Sequence, residues 1–404
     1  MLLLVFNAGS SSLKFALLVL DAGSPSRRIL GGAFAEGADG SGSFVCRDAP
    51  GMPDALARVS SLEAAAGSVL KWLSDVSLHG RDLTAGIAAT VHRIVHGGER
   101  FRATTVLGDA ELAALTEINA LAPLHNPPAL AVVGAVRSAL GPTVPVLGVF
   151  DTAYFSALPE VAYQYAIPLR WRREFGIRRY GFHGLAHRHL CQAARTHLGA
   201  SAQPWRIVSV QLGRGCSLAA TRADQAIATS MGFTPLEGLV MGTRSGDVDP
   251  GALLHVMERS GMNAAEMRKE LNESSGLLGL SGKSADMREL LALERGGDAN
   301  AALAINIFCR RARHYLGAYI AELGGIDAIA IGGGIGENCP DIRRRIFADF
   351  AWAGIELSPE ANAASVGIAA NIASPSSRAA ILVVPVDEAS VIAAEAAALL
   401  GRRS

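Results

Sequence analysis

Three short glycine-containing turns follow apolar runs, and each could hold a phosphate. They are residues 9–12, 213–215 and 332–336. Backbone amides and hydroxyls in such a turn, joined by a lysine such as Lys14, are donors that suit a phosphate. A β-hairpin with a polar turn remains an alternative explanation of the first turn. None of the three turns has the Walker A pattern, and neither later turn has GxGxxG. Because all three follow apolar runs, together they predict a phosphate-bearing ligand held largely by backbone.

An arginine stands in the β-branched run VHRIVHGGE, where a buried cation needs an anionic partner. For Arg93 that partner is either a structural carboxylate or a bound anion. His92 and His96 are four residues apart, a spacing that would suit a metal on a helix. The β-branched flanks indicate a strand instead, which argues against a metal here.

A second arginine lies in the densest stretch of the chain, residues 229–251. This stretch is too rich in Gly, Pro and Thr for regular structure, yet too apolar for a solvated linker. Arg244 follows Gly-Thr in a turn that we expect to present its guanidinium outward. Beside an apolar floor it would suit a small carboxylate or phosphate, and a plain surface loop is the alternative.

The string RRYGFHGLAHRH contains three histidines without the glutamate of an HExxH zinc motif. His183, in the turn before a predicted helix, could offer a proton donor to a ligand. His187 and His189 fit a helix start that carries solvated histidines. A metalloprotease is therefore not supported.

Oxygen donors occur at the ends of three predicted elements. Asn7 and Asp151 end apolar strands, and Glu388 begins the last helix. Such oxygens form the type of shell that hydrated Mg²⁺ uses beside phosphates. For Glu388 the alternative is an acidic residue that stabilises a helix N-terminus.

Strands and helices alternate along the chain in a way that predicts an α/β protein. Strand patterns cover 2–7, 12–20, 29–35 and 42–46, a further strand ends at Asp151, and helical spacing covers 54–75, 109–121, 128–140 and 300–323. WRIVSVQLGRGCSLAATR echoes LLLVFNAGSSSLKFALL when Gly213 is placed on Gly9. Ligands of such folds bind at the carboxyl ends of strands.

Composition limits the classes of function. With 404 residues, 50% of them hydrophobic, the length predicts two domains. Thirty-seven basic residues balance 37 acidic ones, which argues against nucleic acid or an anionic membrane as a partner. Five cysteines form no CxxC, and the chain has no signal sequence or apolar run long enough for a bilayer, so we expect a cytoplasmic protein.

Eight strings taken jointly resemble the acetokinase family. They are NAGSSSLKF, HRIVHGGE, LAPLHNPPAL, VFDTAYF, RRYGFHG, TSMGFTPLEGLVMGTRSGDVDPG, SGLLGLSGKSADMRE and GGGIGEN, in order over residues 3 to about 393. The resemblance implies a two-lobed, actin-like (ribonuclease H-like) α/β fold with the ligand cleft between duplicated lobes. The lobes would be 1–150 with 386–404, and 151–385.

The resemblance also implies an activity and its partners. Members of the family are homodimers that transfer a phosphoryl group reversibly between ATP and acetate, forming acetyl phosphate and ADP. Mg²⁺ is the implied metal, with Mn²⁺ able to substitute, and Asn7 and Glu388 would hold it. Because a carboxylate is already a nucleophile, catalysis would rest on in-line positioning and on neutralising the phosphoryl oxygens.

Further roles follow from the matching motifs. Arg93 and Arg244 would bracket the acetate carboxylate and the transferring phosphoryl group, His183 would hydrogen-bond that group, and Asp151 would orient the carboxylate or an arginine. Val95, Leu124, Phe182 and Pro235 match the family's pocket for the methyl group. The nucleotide would contact Lys14, Ser10, Ser12, Gln211, Leu212, Gly213, Arg214, Gly215, Asp286, Met287, Arg288, Gly334, Ile335, Gly336, Glu337 and Asn338.

Three strings depart from the family pattern. The usual HLGNG is here QLGRG, with Gln211 and Arg214; FHGTSH is FHGLAH; and Ala389-Ser390 replaces Glu-Leu after Glu388. These departures keep two alternatives open. One is a propionate, butyrate or other short-chain acyl kinase, and the other is a weakly active nucleotide-binding homologue.

Overall fold

The computed structural model of the protein describes residues 1–9, 12–20, 26–36, 42–46, 59, 61–75, 77–78, 81–199 and 204–401. The chain divides into two compact units. Unit 1 comprises Met1–Ser156 and Asp387–Ser404, and unit 2 comprises Ala157–Val386. The lobe boundaries expected from the resemblance, 150/151 and 385/386, lie a few residues from these bounds.

Unit 1 contains a seven-stranded sheet in the order β4-β3-β2-β1-β7-β9-β8. Its strands, with a separate two-stranded pair β5-β6, are β1 (Leu2–Ala8), β2 (Ser12–Val19), β3 (Arg27–Glu36), β4 (Gly42–Cys46), β5 (Ser77–Leu78), β6 (Arg81–Asp82), β7 (Ile87–Ile94), β8 (Thr105–Val106) and β9 (Val146–Phe150). Its helices are α1 (Leu62–Asp75), α2 (Asp109–Glu117), α3 (Asn126–Leu140) and α15 (Glu388–Gly401), with 3₁₀ turns at Thr84–Gly86, Asn119–Leu121 and Asp151–Phe155.

Unit 2 contains a six-stranded sheet in the order β12-β11-β10-β13-β15-β14. Its strands are β10 (Arg206–Leu212), β11 (Cys216–Arg222), β12 (Gln225–Thr229), β13 (Ala328–Gly332), β14 (Ala370–Asn371) and β15 (Ala380–Val383). Its helices are α4 (Glu160–Tyr163), α5 (Leu169–Phe175), α6 (Gly184–Leu198), α7 (Pro250–Ser260), α8 (Ala264–Lys269), α9 (Gly276–Ser281), α10 (Met287–Arg295), α11 (Ala299–Leu323), α12 (Gly333–Asn338), α13 (Pro340–Phe347) and α14 (Pro359–Ala364), with a π turn at Glu270–Ser274 and a 3₁₀ turn at Ala351–Ala353.

The two sheets share one arrangement. In each, an antiparallel meander of three strands (β3-β2-β1 and β12-β11-β10) continues into two strands parallel to the first (β7-β9 and β13-β15). The first two strands of each meander are joined by a glycine turn, which places Gly9 and Gly213 at equivalent positions. This confirms the predicted α/β class and the internal repeat.

One face of the unit 1 sheet packs under α1 and α3. Leu4 and Phe6 of β1 pack in one core with Val69 of α1 and Val132 of α3, and all four side chains are buried. The predicted helix at 54–75 is observed from Leu62; residues 54–58 and 60 lie outside the described residues. Among the described residues, no helix combines the length and apolar character that crossing a bilayer requires.

Two local predictions are wrong. Residues 332–336 were expected as a loop, but Gly333 begins the short helix α12. Its φ of 79° and the Leu212 carbonyl oxygen, 2.5 Å from where a Cβ would stand, restrict this position to glycine. The strand expected to end at Asp151 ends at Phe150, because the following residues Asp151–Phe155 form a 3₁₀ turn.

Candidate active site

The carboxyl ends of three parallel strands in unit 1 bring predicted site residues together. Asn7 of β1 is in register with Arg93 of β7, and Arg93 is in register with Val149 of β9. Asp151 follows β9 directly. Since parallel strands end at the same edge of the sheet, these side chains meet there.

Arg93 and Asp151 form a bidentate ion pair. Arg93 Nε donates to Oδ1 at 2.8 Å and Nη2 donates to Oδ2 at 2.6 Å, and the Asp151 side chain is 1% exposed. Burial opposes the charge on Arg93, but the carboxylates of Asp151 and Glu388 outweigh it and hold the pKa above its ordinary value. The sequence left open whether Arg93 binds a structural carboxylate or a bound anion. On its Nε and Nη2 atoms the partner is a structural carboxylate, Asp151.

Glu388, the first residue of α15, completes this cluster. Arg93 Nη1 donates to Glu388 Oε2 at 3.1 Å and to Asn7 Oδ1 at 3.2 Å. Asn7 Nδ2 donates to the same Glu388 oxygen at 3.0 Å. The cluster contains two carboxylates and one guanidinium, so one negative charge remains uncompensated.

The donor set of this cluster limits which metal it could hold. Within the part of the chain that the structure describes, no three or more His, Cys, Asp or Glu side chains group as a metal site. One carboxylate and one amide oxygen beside an excess negative charge do fit Mg²⁺, which keeps several waters and takes one or two carboxylates together with substrate phosphates.

The first glycine turn is the tip of the β1–β2 hairpin. Gly9 N donates to Ser12 O at 2.7 Å, and Lys14 lies opposite Asn7 in the antiparallel register. The hairpin reading of this turn is confirmed. Lys14 is exposed, Ser12 is half-buried, and Ser10 lies outside the described residues.

In unit 2, His183 has an unusual backbone conformation. It caps α6 with φ 58° and ψ 29°, the left-handed region. For a residue with a Cβ this conformation costs roughly 1–2 kcal/mol, and such strain concentrates at functional sites. His183 Nδ1 bonds to Ser217 Oγ at 2.9 Å, which orients the ring.

The second glycine turn brings His183 and Arg244 close together. A Cβ built on Gly215 would stand 3.1 Å from His183 Nε2 and 3.5 Å from Arg244 Nη2. Both side chains therefore approach the backbone of this turn. Any side chain at position 215 would crowd the histidine.

The sequence predicted that the Arg244 guanidinium points outward, and this prediction is wrong. Arg244 is half-buried, and its Nη1 donates to the carbonyl oxygen of Pro235 at 2.8 Å. Burial lowers its pKa, and the positive charge of Arg214 lowers it further. Within the described residues Arg244 has no carboxylate within ion-pair distance. A partly buried guanidinium in this state favours an anionic ligand.

The irregular segment that carries Arg244 is held by partly buried polar contacts. Arg179 donates to the carbonyl oxygens of Thr229 at 3.2 Å and Met231 at 3.1 Å, and it also pairs with Glu237. Tyr165 donates to Glu237 as well. The segment is ordered although it lacks regular structure. Sequence reasoning missed Glu237 and Tyr165. For Glu237 the signal was a lone glutamate in a largely apolar stretch.

The predicted nucleotide-binding residues form two groups in unit 2. Asp286 caps α10 by accepting from Arg288 N at 2.8 Å, and the Arg288 guanidinium holds the pKa of that carboxyl at about 2. The 334–338 residues lie in α12, with Gly334 N next to the Gly213 turn. The buried Oε1 of Gln211 has no hydrogen-bond partner among the described residues.

The predicted apolar pocket residues differ in exposure. In unit 1 Val95 is buried, whereas Leu124 is 46% exposed. In unit 2 Phe182 is buried and Pro235, whose carbonyl binds Arg244, is half-buried.

His187 is not solvated, contrary to the prediction. It is fully buried on α6, with Nδ1 2.7 Å from Ser209 Oγ and Nε2 2.7 Å from Ser217 Oγ. Sequence reasoning missed both serines. The signal was a hydroxyl at an inward position of two otherwise apolar strands. His189 is half-buried.

A separate groove of about 860 Å³ lies between α11 and α13 in unit 2. It is rich in arginine, but Arg313 pairs with Asp349, and Arg344 and Arg345 pair with Asp341 at 2.5 and 2.8 Å. None of the predicted site residues lines it. The groove is therefore largely self-neutralised.

A repeated sheet of this strand order, with polar clusters at the carboxyl ends of its strands, places the chain in the actin-like class of α/β folds. The family model described as the acetokinase family matches residues 2–394. The chain is 42% identical to an acetate kinase of Solibacter usitatus, over 96% of each chain. It therefore belongs to the acetokinase family and is a kinase.

Two solved structures agree with this assignment. The acetate kinase of Porphyromonas gingivalis is 36% identical, with a TM-score of 0.85 over 99% of both chains. A propionate kinase of Francisella tularensis is 33% identical, with a TM-score of 0.86 over 98% of both chains. The identification made from the sequence motifs is thus confirmed at the level of family and fold.

Proposed function

We propose that this kinase transfers the γ-phosphoryl group of ATP reversibly to acetate, forming acetyl phosphate and ADP. An acetate oxygen bonds to phosphorus while the bond between phosphorus and the β–γ bridging oxygen breaks, and no proton needs to be removed from the nucleophile. The observation that carries the proposal is Arg244, a partly buried cation without a carboxylate partner among the described residues, beside His183.

Residues of unit 2 would neutralise the reacting group. Arg244 would bind the transferring phosphoryl oxygens, and His183 would donate a hydrogen bond to them. Such preorganised donors act where negative charge is shared among phosphoryl oxygens. The 286–288 and 334–338 segments and the 211–215 turn would bind the nucleotide.

Residues of unit 1 would bind the acyl substrate and the metal. Arg93, held by Asp151, keeps its remaining Nη2 proton for a carboxylate oxygen, and Val95 would contact the methyl group. Asn7 and Glu388 would hold Mg²⁺, which neutralises phosphate charge when it is bound. We also propose a homodimer and a cytoplasmic location, both of which rest on the family resemblance.

The test is acyl-phosphate formation from ATP with formate, acetate, propionate and butyrate in MgCl₂. We expect the highest kcat/KM with acetate, loss of activity in EDTA, and recovery with MgCl₂ or MnCl₂. Because the propionate kinase of Francisella tularensis is also similar, a higher kcat/KM for propionate would assign the chain to that acceptor. No acyl phosphate with any acid would identify a nucleotide-binding homologue instead.

A matched pair of variants tests the observation itself. Arg244→Ala should lower kcat/KM by at least about 10³-fold, since one such arginine is worth roughly 10³–10⁵. Arg310→Ala removes an arginine of the separate groove between α11 and α13 and should leave kcat/KM within twofold. Equal effects of the two changes would contradict the role of Arg244.

A further inference from the structure

Four side chains of unit 2 form one continuous hydrogen-bonded chain behind His183. His183 Nδ1 lies 2.9 Å from Ser217 Oγ, which lies 2.7 Å from His187 Nε2. His187 Nδ1 lies 2.7 Å from Ser209 Oγ. His187, Ser209 and Ser217 are fully buried, so water does not compete for these bonds.

Secondary structure builds this chain. His183 and His187 are four residues apart at the start of α6, and therefore lie one helical turn apart. Ser209 is in register with Ala219, and Ser217 lies two residues before Ala219 on the same face of the sheet. The two strands thus present hydroxyls at a diagonal spacing to the two imidazoles of the helix.

At its far end this hydrogen-bonded series meets a backbone carbonyl, which assigns one direction to its bonds. Ser209 Oγ donates to the carbonyl oxygen of Ala219 at 3.4 Å, and a carbonyl can only accept. With its proton directed to this carbonyl, Ser209 accepts from His187 Nδ1–H. Neutral His187 has its lone pair on Nε2, so Ser217 donates to it, and the Ser217 oxygen accepts from His183 Nδ1–H.

We propose that Ser217 and His187 are positioning residues that fix His183 as the Nδ1–H tautomer, with Nε2 turned toward the reacting group. In the neutral ring Nε2 is then an acceptor, and it can donate to a phosphoryl oxygen only when His183 is an imidazolium. Titratable groups that face His183 include Arg244, across Gly215, and His187, through Ser217. The catalytic consequence rests on the proposed phosphoryl transfer, but the tautomer does not.

The test begins on the unliganded enzyme with ¹⁵N-labelled histidine, because two-bond nitrogen–proton couplings distinguish the two tautomers. His183→Gln and His187→Gln assign the signals. We expect the Nδ1–H pattern for both rings in the neutral form, and loss of the fixed His183 pattern in Ser217→Ala. An Nε2–H pattern for neutral His183 in the wild-type protein would overturn the proposal, since it requires the reverse direction of every bond.

Kinetics form the second arm. Ser217→Ala should lower kcat by about 10–10²-fold with KM values within twofold. This is less than the roughly 10⁴-fold effect of losing a charged orienting partner, because a serine supplies no charge. In Ser217→Ala, kcat should fall less steeply at alkaline pH than in the wild type. Without Ser217 the neutral His183 ring can adopt the other tautomer and present Nε2–H. An unchanged kcat and pH profile would also overturn the proposal.

Thr221→Val is the matched control. Thr221 lies on the same strand and face as Ser217, is buried, and contacts Cys191 of α6 through its hydroxyl. Removing that hydroxyl should change neither the His183 tautomer nor the pH profile. If Thr221→Val has the same effect as Ser217→Ala, the role of Ser217 is merely structural. Expected tautomers without acyl-phosphate formation would contradict only the proposed function.

Discussion

Arg93 and Asp151 bind each other through two parallel hydrogen bonds, Nε to Oδ1 at 2.8 Å and Nη2 to Oδ2 at 2.6 Å, at the ends of neighbouring parallel strands. The carboxylate is almost fully enclosed, with 1% of its side chain exposed. The arginine therefore has two tasks. It compensates a buried negative charge, and it presents the rest of its guanidinium in a fixed direction.

Separating these two tasks gives the first prediction. Arg93→Ala should lower turnover by at least about 10³-fold. It should also lower the free energy of unfolding by about 3–5 kcal/mol, because Asp151 is left as an uncompensated buried charge. The double variant Arg93→Gln with Asp151→Asn removes both charges and should recover most of the stability but none of the turnover.

Urea unfolding and acyl-phosphate assays at matched protein concentrations check this. Arg137→Ala is the control, since its ion pair with Asp109 is largely exposed and should contribute about 0–1 kcal/mol. Wild-type turnover in the double variant would remove Arg93 from the mechanism.

The acyl pocket gives a second prediction. Val95 is buried just beyond the end of β7, and Val95→Ala should improve kcat/KM for propionate relative to acetate. The change should be modest, because one methylene is worth only about 1–3 kcal/mol. Val91→Ala, a truncation within the same strand, should lower stability without altering the ratio. An unchanged ratio in Val95→Ala would count against this pocket.

The third prediction concerns Arg214, where the chain departs most from the family pattern. Its side chain is exposed, and its charge is close enough to Arg244 to oppose the charge there. A second cation beside the 211–215 turn should bind nucleotide phosphates equally in ground and transition states, which lowers KM without raising kcat. Arg214→Asn should therefore raise KM for ATP, with kcat unchanged or higher.

Steady-state kinetics with varied ATP measure this effect, and Arg214→Lys separates charge from reach. The lysine variant should retain most of the affinity if charge is what matters. A lower KM for ATP in Arg214→Asn would show that the arginine does not assist nucleotide binding.

The fourth prediction is acid sensitivity that originates in the core. His92 is buried in β7 and stacks on Phe6 with ring centroids 5.3 Å apart, and burial lowers its pKa to about 3. Between about pH 6.5 and 3 the unfolded chain binds a proton there that the folded chain does not. Stability is thus complete above this window and is lost as pH falls through it.

His92→Phe keeps the aromatic face but cannot take up the proton. Its free energy of unfolding should fall less steeply from pH 7 to pH 4.5 than that of the wild type, by up to about 1.4 kcal/mol per pH unit. Denaturant midpoints at several pH values give the comparison. Identical slopes in the two proteins would rule out His92 as the source.

Much of the fold was predictable because apolar runs and glycine turns are local signals. The β1–β2 and β10–β11 hairpins and α11 were readable in this way. The conformation of 332–336 was not, since glycine permits both a loop and a helix start. Local sequence thus determined most elements but not the conformation of a glycine-rich junction.

The site shows the same limit. The residue types were readable, but their partners were not, because Arg93 and Glu388 meet across 295 positions of sequence. The inward direction of Arg244 depends on a carbonyl nine residues away in an irregular segment. The burial of His187 depends on two strands that follow it. Each of these facts comes from tertiary packing, which no short motif records.

The discontinuity of unit 1 has a consequence for biosynthesis. The hydrogen bond from Asn7 to Glu388 can form only after a further 381 residues have been synthesised. At roughly 5–20 residues per second this interval is about 20–80 s of translation. The β1–β2 hairpin can fold early, whereas the cluster around Arg93 can be completed only after α15 has left the ribosome. A chain that stops short of Glu388 could therefore fold much of both sheets and yet leave Asn7 and Arg93 without their shared carboxylate.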